Sequence, residues 1–94
     1  MGLDKQEVKM SDVIAKVISQ KGTCNAQYKV GDEFVVSGKT PPNHCTGAYS
    51  SLFPSIRVLE FGGSFPWEED KDKAIVACPD PENPVVFELR RTSI

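Results

Sequence analysis

Three cysteines, Cys24, Cys45 and Cys78, are the residues of this 94-residue chain whose side chains offer the most distinctive chemistry. Three thiols cannot all pair within one chain, which argues for reduced cysteines and against a secreted disulfide scaffold. Reduced thiolates are soft ligands that suit zinc and iron. We therefore treat the cysteines as the candidate functional residues of a cytoplasmic protein.

A four-coordinate metal site would need one ligand besides three thiolates. His44 precedes Cys45 directly, and Asp80 follows shortly after Cys78. The sequence thus supports the hypothesis of a zinc or iron site formed by Cys24, Cys45, Cys78 and His44, with Asp80 as the alternative fourth ligand. None of the cysteines belongs to a Cys-x-x-Cys pair, which structural zinc sites usually use, so three buried and inert thiols are the competing interpretation.

Cys45 is also a candidate catalytic nucleophile. It precedes a predicted helix and neighbours His44, and both exposed helix N–H groups and a protonated imidazole stabilise a thiolate. The alternative is that Cys45 packs under the first helical turn and His44 is solvated. Whether the chain is an enzyme stays open. The leading hypothesis is a non-enzymatic accessory domain that binds a thiophilic metal or senses redox state.

The cysteines must be positioned by strands, and the sequence predicts about four strands. Runs of β-branched and alternating apolar residues indicate strands at 13–19, from a turn at Gly31-Asp32 to 36, at 74–78 and at 85–90. The first strand is apolar on both sides, which predicts a sheet covered on both faces or one that meets a partner. The segment 79–84 contains three prolines and must be a loop.

One helix is predicted between Thr46 and Phe61, where four apolar residues recur at helical spacing: Ala48, Leu52, Ile56 and Leu59. Asn43 or Thr46 is expected to cap its start, and Gly62-Gly63 to end it. Pro54 is expected to interrupt the helix, either by kinking it or by dividing it into two short turns. The element order is ββαββ, and the fold class is α+β.

Composition limits the partners and the location of the protein. The net charge is −2, from 11 basic and 13 acidic residues, and the basic residues are scattered, so we expect no nucleic-acid partner. No apolar stretch approaches the roughly 18 residues of a membrane span. Residues 1–10 are polar and are expected to be a flexible leader without a secretory signal, followed by a single domain at 11–94.

A protein-interaction module is the remaining functional alternative. Phe65 and Trp67 flank a proline in a predicted loop, where they would form either a binding platform or a lid on the core. A chain of this length has a modest core, so a homodimer or a protein partner would add stability. In this interpretation the cysteines are buried and inert.

Several separated motifs occur in a familiar order: Lys21-Gly22-Thr23-Cys24, Lys29-Val30-Gly31-Asp32-Glu33-Phe34, Cys45 with its helix, Phe61-Gly62-Gly63, Phe65-Pro66-Trp67 and the stretch 78–88. Together they resemble an uncharacterised family of prokaryotic three-cysteine proteins of about this length, over residues 13–91. The resemblance implies that Cys24, Cys45 and Cys78 match the family's cysteines. It also implies a Gly-His pair where this chain has Gln27-Tyr28, so His44 is the candidate to replace that histidine.

Overall fold

The computed structural model describes residues 11–22, 28–41 and 45–92. Cys24, His44, Asn43 and the expected leader at 1–10 lie outside these residues. The described elements are strand β1 at Val13–Gln20, strand β2 at Glu33–Val36, helix α1 at Thr46–Glu60, strand β3 at Lys73–Ala77 and strand β4 at Val85–Arg91. The prediction of an α+β fold with the order ββαββ is confirmed.

The four strands form one antiparallel sheet in the order β2-β1-β4-β3. Strand β1 lies in the interior of the sheet and pairs with β2 on one side and β4 on the other. Its pairing with β4 shifts by one residue between Val17 and Ser19, so Ile18 is the extra residue of a β-bulge. Helix α1 connects the two edge strands, β2 and β3, across one face of the sheet.

Only one face of the sheet is covered within the described part of the chain. On β1, Val13, Ala15 and Val17 are fully buried beneath α1, in accord with the alternation of side chains along a strand. The intervening side chains of β1 point to the opposite face, where Ile18 is 41% exposed. The expectation of a sheet covered on both faces is therefore not met by the described residues.

Helix α1 packs on the sheet through the four residues that the sequence pattern selected, all of which are buried: Ala48, Leu52, Ile56 and Leu59. Gly62, with a φ of +87°, follows the helix, and its N–H donates to the Leu59 carbonyl at 3.2 Å. The predicted stop is thus confirmed. The predicted cap at Thr46 is wrong, because the N-cap residue is Cys45 and it makes no side-chain capping bond.

Pro54 does not divide the helix into two short turns, so that one of the two expected forms of interruption is wrong. The helix runs unbroken from Thr46 to Glu60 with Pro54 inside it. Proline cannot donate to the carbonyl one turn earlier, and its ring crowds that carbonyl. Pro54 is exposed, so water can reach the freed carbonyl, while the fully buried Leu52 and Ile56 hold both halves of the helix on the same sheet. Packing therefore outweighs the local cost.

Candidate functional site

One end of the sheet carries both described cysteines. We call it the cysteine end: it comprises the last residues of β1 and β3, Gln20 and Ala77, and the first residues of β2 and β4, Glu33 and Val85. Helix α1 also begins there. Cys45 precedes α1 and Cys78 follows β3, so the prediction that cysteines lie at element ends is confirmed for these two. Cys24 and His44 lie outside the described residues.

A tyrosine that the sequence reasoning did not select holds Cys45 in place. The N–H of Cys45 donates to the phenol oxygen of Tyr28 at 2.7 Å. The Tyr28 ring is buried, and it meets the rings of Phe34 and Phe87 edge-on at 5.3 and 5.4 Å. These contacts attach the start of α1 to the core. The only sequence signal for Tyr28 was its place in the resemblance, which implies a histidine at this position.

The sulfur of Cys45 lies over the first turn of α1. A Cβ built on Gly47 would lie 3.9 Å from Sγ of Cys45. The N-cap residue Cys45 makes no side-chain capping bond with the described residues, and the first turn of the helix contains no acidic residue. The first N–H groups of a helix have no intrahelical partner, and the helix dipole favours negative charge beside them. The half-buried Cys45 thus lies where a negatively charged ligand or thiolate is favoured.

Cys78 lies on the helix-covered side of the sheet and takes part in its hydrogen bonding. The N–H of Cys78 donates to the Val85 carbonyl at 2.9 Å, and the Val85 N–H donates to Sγ of Cys78 at 3.2 Å. The sulfur therefore stands where a backbone carbonyl would complete the ladder pair. Amide donors to sulfur are among the outer contacts that orient and tune metal-bound thiolates.

Asp80 stabilises the loop that follows Cys78. Its Oδ1 accepts the N–H groups of Glu82 and Asn83 at 3.0 and 3.1 Å. These two donors, that of Asn83 first, lower the pKa of the Asp80 carboxyl below its usual value of 3.8. The carboxylate is thus engaged in an Asx-type turn, a structural role that the sequence left open.

Within residues 11–22, 28–41 and 45–92, no three His, Cys, Asp or Glu side chains lie close enough to hold a metal ion. Cys45, Cys78 and Asp80 therefore do not form such a centre by themselves. A metal site at the cysteine end would require Cys24 or His44.

The end of β1 is tightly packed against the loop after Cys78. The N–H of Lys21 donates to the Pro84 carbonyl at 3.1 Å. Gly22 has a φ of +72°, and a Cβ built on it would overlap the side chain of Asn83. Only glycine combines this backbone conformation with so close an approach. The described chain before Cys24 therefore ends beside the loop that follows Cys78.

A groove of about 590 Å³ lies along the first half of α1. Among the described residues its lining has no charged side chain and comprises Thr40, Thr46, Tyr49, Ser50, Phe53 and Pro54. The rings of Tyr49 and Phe53 lie 5.8 Å apart, one helical turn from each other. This volume lies within the range of small-molecule pockets. The sequence signal was the pair of aromatic residues at helical spacing outside the buried stripe.

The aromatic residues of the loop before β3 lie far from the cysteines, at the opposite end of the sheet. The ring of Phe65 packs against the core, whereas Trp67 is 73% exposed and stacks on Phe65 at a centroid distance of 5.1 Å. The Lys71 ammonium donates to the carbonyls of Phe65 and Glu68 and fixes this turn. Phe65 thus closes the core, and Trp67 does not.

No family model, curated protein or solved structure matches this chain. The resemblance to a three-cysteine family accordingly stays a prediction. In the described ranges no helix has the length and apolar character required to cross a membrane. The expectations of a cytoplasmic location and of no nucleic-acid partner stay predictions as well.

Proposed function

We propose that this chain is a non-enzymatic accessory domain whose cysteine end binds a thiophilic metal ion, zinc or iron. The observation that supports this most directly concerns the two described cysteines. Cys45 directly precedes α1, Cys78 directly follows β3, and both positions lie at the same end of the sheet. A site that holds its ion only while the thiols are reduced would also sense redox state.

The proposed ligands are Cys24, Cys45, Cys78 and His44. The two described sulfurs have surroundings that suit such a role, since one lies over the first turn of α1 and the other accepts a backbone N–H. Because no three metal-ligating side chains lie together within the described residues, the proposed site needs Cys24 or His44 in addition to Cys45 and Cys78.

Elemental analysis of protein purified without oxygen tests the proposal. We expect about one zinc or iron ion per chain. Cys45→Ser and Cys78→Ser should each lower the metal content at least tenfold, because a hydroxyl is a poor ligand for a soft site. Ser51→Ala is the matched control: it removes the hydroxyl that donates to the Ala77 carbonyl at 2.6 Å, beside Cys78, and should leave the metal content unchanged.

Absence of stoichiometric zinc or iron, together with slow alkylation of all three thiols in the folded protein, would overturn the metal proposal. That result would mean that the cysteines are buried, inert thiols that only pack in the core. Equal metal loss in Ser51→Ala and Cys78→Ser would point to a general distortion of the cysteine end.

A second candidate, a thiol-dependent enzyme, is favoured by the position of Cys45 at the N-terminus of α1, directly before Thr46, which lines the groove. In this function Cys45 is the nucleophile and the uncharged groove receives the substrate. Alkylation by iodoacetamide at neutral pH, mapped by mass spectrometry, should then modify Cys45 at least tenfold faster than Cys78. Equal rates at the two half-buried thiols would count against the enzyme.

A further inference from the structure

The two edge strands of the sheet, β3 and β2, differ in whether their outward backbone groups have hydrogen-bond partners. Along β3 the outward backbone groups are covered by other parts of the chain. The Lys73 N–H donates to the Asp70 carbonyl at 3.2 Å, and the Ile75 N–H donates to the Glu68 carboxylate at 3.2 Å. The Ala77 carbonyl accepts the Ser51 hydroxyl. Covering an edge in this way prevents another strand from pairing with it.

The other edge, β2, has no such cover among the residues that the structure describes. The Val17 N–H donates to the Asp32 carbonyl at 2.9 Å, and in the antiparallel register this places Phe34 and Val36 among the residues bonded to β1. Glu33 and Val35 consequently direct their N–H and C=O groups away from the sheet. Within the described residues these four groups have no hydrogen-bond partner. They form a short template for another strand.

The side chains at this edge favour an apolar partner. Val35 is 56% exposed on the open face of the sheet and lies directly beside Ile14 of β1. Neither the edge nor the adjoining face is covered by any described element. We propose that β2 pairs in antiparallel fashion with β2 of a second copy of this chain, which joins two four-stranded sheets into one continuous sheet.

Charge repulsion and apolar contact together select the register of this pairing. A two-fold axis at Glu33 would place two carboxylates opposite each other, which is destabilising. An axis at Phe34 would place each Glu33 opposite a Val35. An axis at Val35 places valine opposite valine, with the Ile14 side chains on either side and Glu33 opposite the uncharged Ser37. The last register is therefore the one we assign.

The pairing is expected to be weak. Two short strands bury less than the roughly 800 Å² per partner of a standard interface, so rapid exchange is expected. The apparent mass should rise from one chain towards two between about 10 µM and 1 mM. This association is independent of the proposed metal site and should persist in the presence of a chelator.

Sedimentation equilibrium of the full chain with EDTA tests the proposal. Val35→Pro removes an outward N–H that makes no bond to β1, and proline is tolerated at such edge positions. We expect this variant to stay monomeric at 1 mM. If it fails to fold by circular dichroism, Val35→Lys serves instead: it places like charges opposite each other and should weaken association at least tenfold.

Ile75→Lys is the matched control, because Ile75 lies on the same open face but at the covered edge. Its association should equal that of the wild type. A wild type that is monomeric at 1 mM would overturn the proposal. Equal weakening by Val35→Lys and Ile75→Lys would also overturn it, since that result assigns association to the open face rather than to the edge of β2.

Discussion

Arg91 joins three parts of the fold through one side chain. Its guanidinium and Nε donate five hydrogen bonds of 2.8 to 3.1 Å, and the acceptors are the carbonyls of Leu59, Gly63 and Lys71 and the Asp72 carboxylate. Only arginine offers five donors in this planar arrangement. We expect Arg91→Lys to lower the free energy of unfolding by about 2 kcal/mol in urea denaturation, because the guanidinium's bonds to the carbonyls of Leu59 and Gly63 are part-buried and a lysine ammonium cannot reproduce all five.

The neighbouring arginine is the control. Arg90 pairs with Asp70 at 2.8 Å, but both side chains are about half exposed. Exposed ion pairs contribute about 1 kcal/mol or less, so Arg90→Lys should change stability by less than that. Equal losses at the two positions would contradict the structural role of Arg91.

Asp80 makes the stability of the fold at the cysteine end depend on pH. Its pKa in the folded protein lies below the ordinary value because the N–H groups of Asn83 and Glu82 bond to the charged form. A lowered pKa stabilises the fold above about pH 4 and loses this contribution as the pH falls through the folded-state pKa. Asp80→Asn retains the turn but not the titration.

To test the role of Asp80, the urea midpoint of unfolding is measured for the wild type and for Asp80→Asn at pH values from 5 to 2. The wild type should lose more stability over this range than Asp80→Asn. Parallel curves would show that the carboxylate contributes nothing to acid sensitivity.

At the level of elements, Gly22 fixes the end of β1 against the loop after Cys78. Gly22→Ala combines a left-handed backbone with overlap on Asn83, whereas Gly31→Ala, at a φ of +100°, meets open space. The backbone term alone costs about 1 kcal/mol. We expect Gly22→Ala to destabilise the protein at least twice as much as Gly31→Ala in urea denaturation. Equal losses would mean that the Asn83 contact is unimportant.

Helix α1 should gain stability when its proline is removed. Pro54→Ala restores one backbone donor and relieves crowding at the preceding turn, and proline is about 3 kcal/mol less favourable than alanine inside a helix. Because buried residues already hold both halves of the helix on the sheet, we expect a gain of about 1 to 2 kcal/mol. An unchanged or lower thermal midpoint for Pro54→Ala would show that the helix has adapted fully to its proline.

The elements could be predicted because their signals are local. The spacing of Leu52 and Ile56 fixed the buried side of α1, and the alternation of Val85, Phe87 and Leu89 fixed that of β4. The helix start at Thr46 was predicted, but the contact that holds it was not, since it is a hydrogen bond from Cys45 to the distant Tyr28. Continuity through Pro54 likewise depends on tertiary packing, which local propensity does not contain.

At the level of the whole molecule, the candidate site depends on topology. The sequence placed Cys45 and Cys78 at element ends, but it did not specify the strand order β2-β1-β4-β3 that brings these ends together. The bond from the Val85 N–H to the Cys78 sulfur follows from that pairing and has no sequence signature. The site residues were thus predictable by type, and their arrangement was not.

Zinc K-edge X-ray absorption tests the proposed thiol site most directly. The protein is purified without oxygen, loaded with one equivalent of zinc and passed through a desalting column before measurement. We predict three sulfur ligands at about 2.3 Å and one nitrogen ligand at about 2.0 Å from the retained ion. Loss of the zinc on the column, or a shell of nitrogen and oxygen ligands alone at about 2.0 Å, would contradict the proposed function.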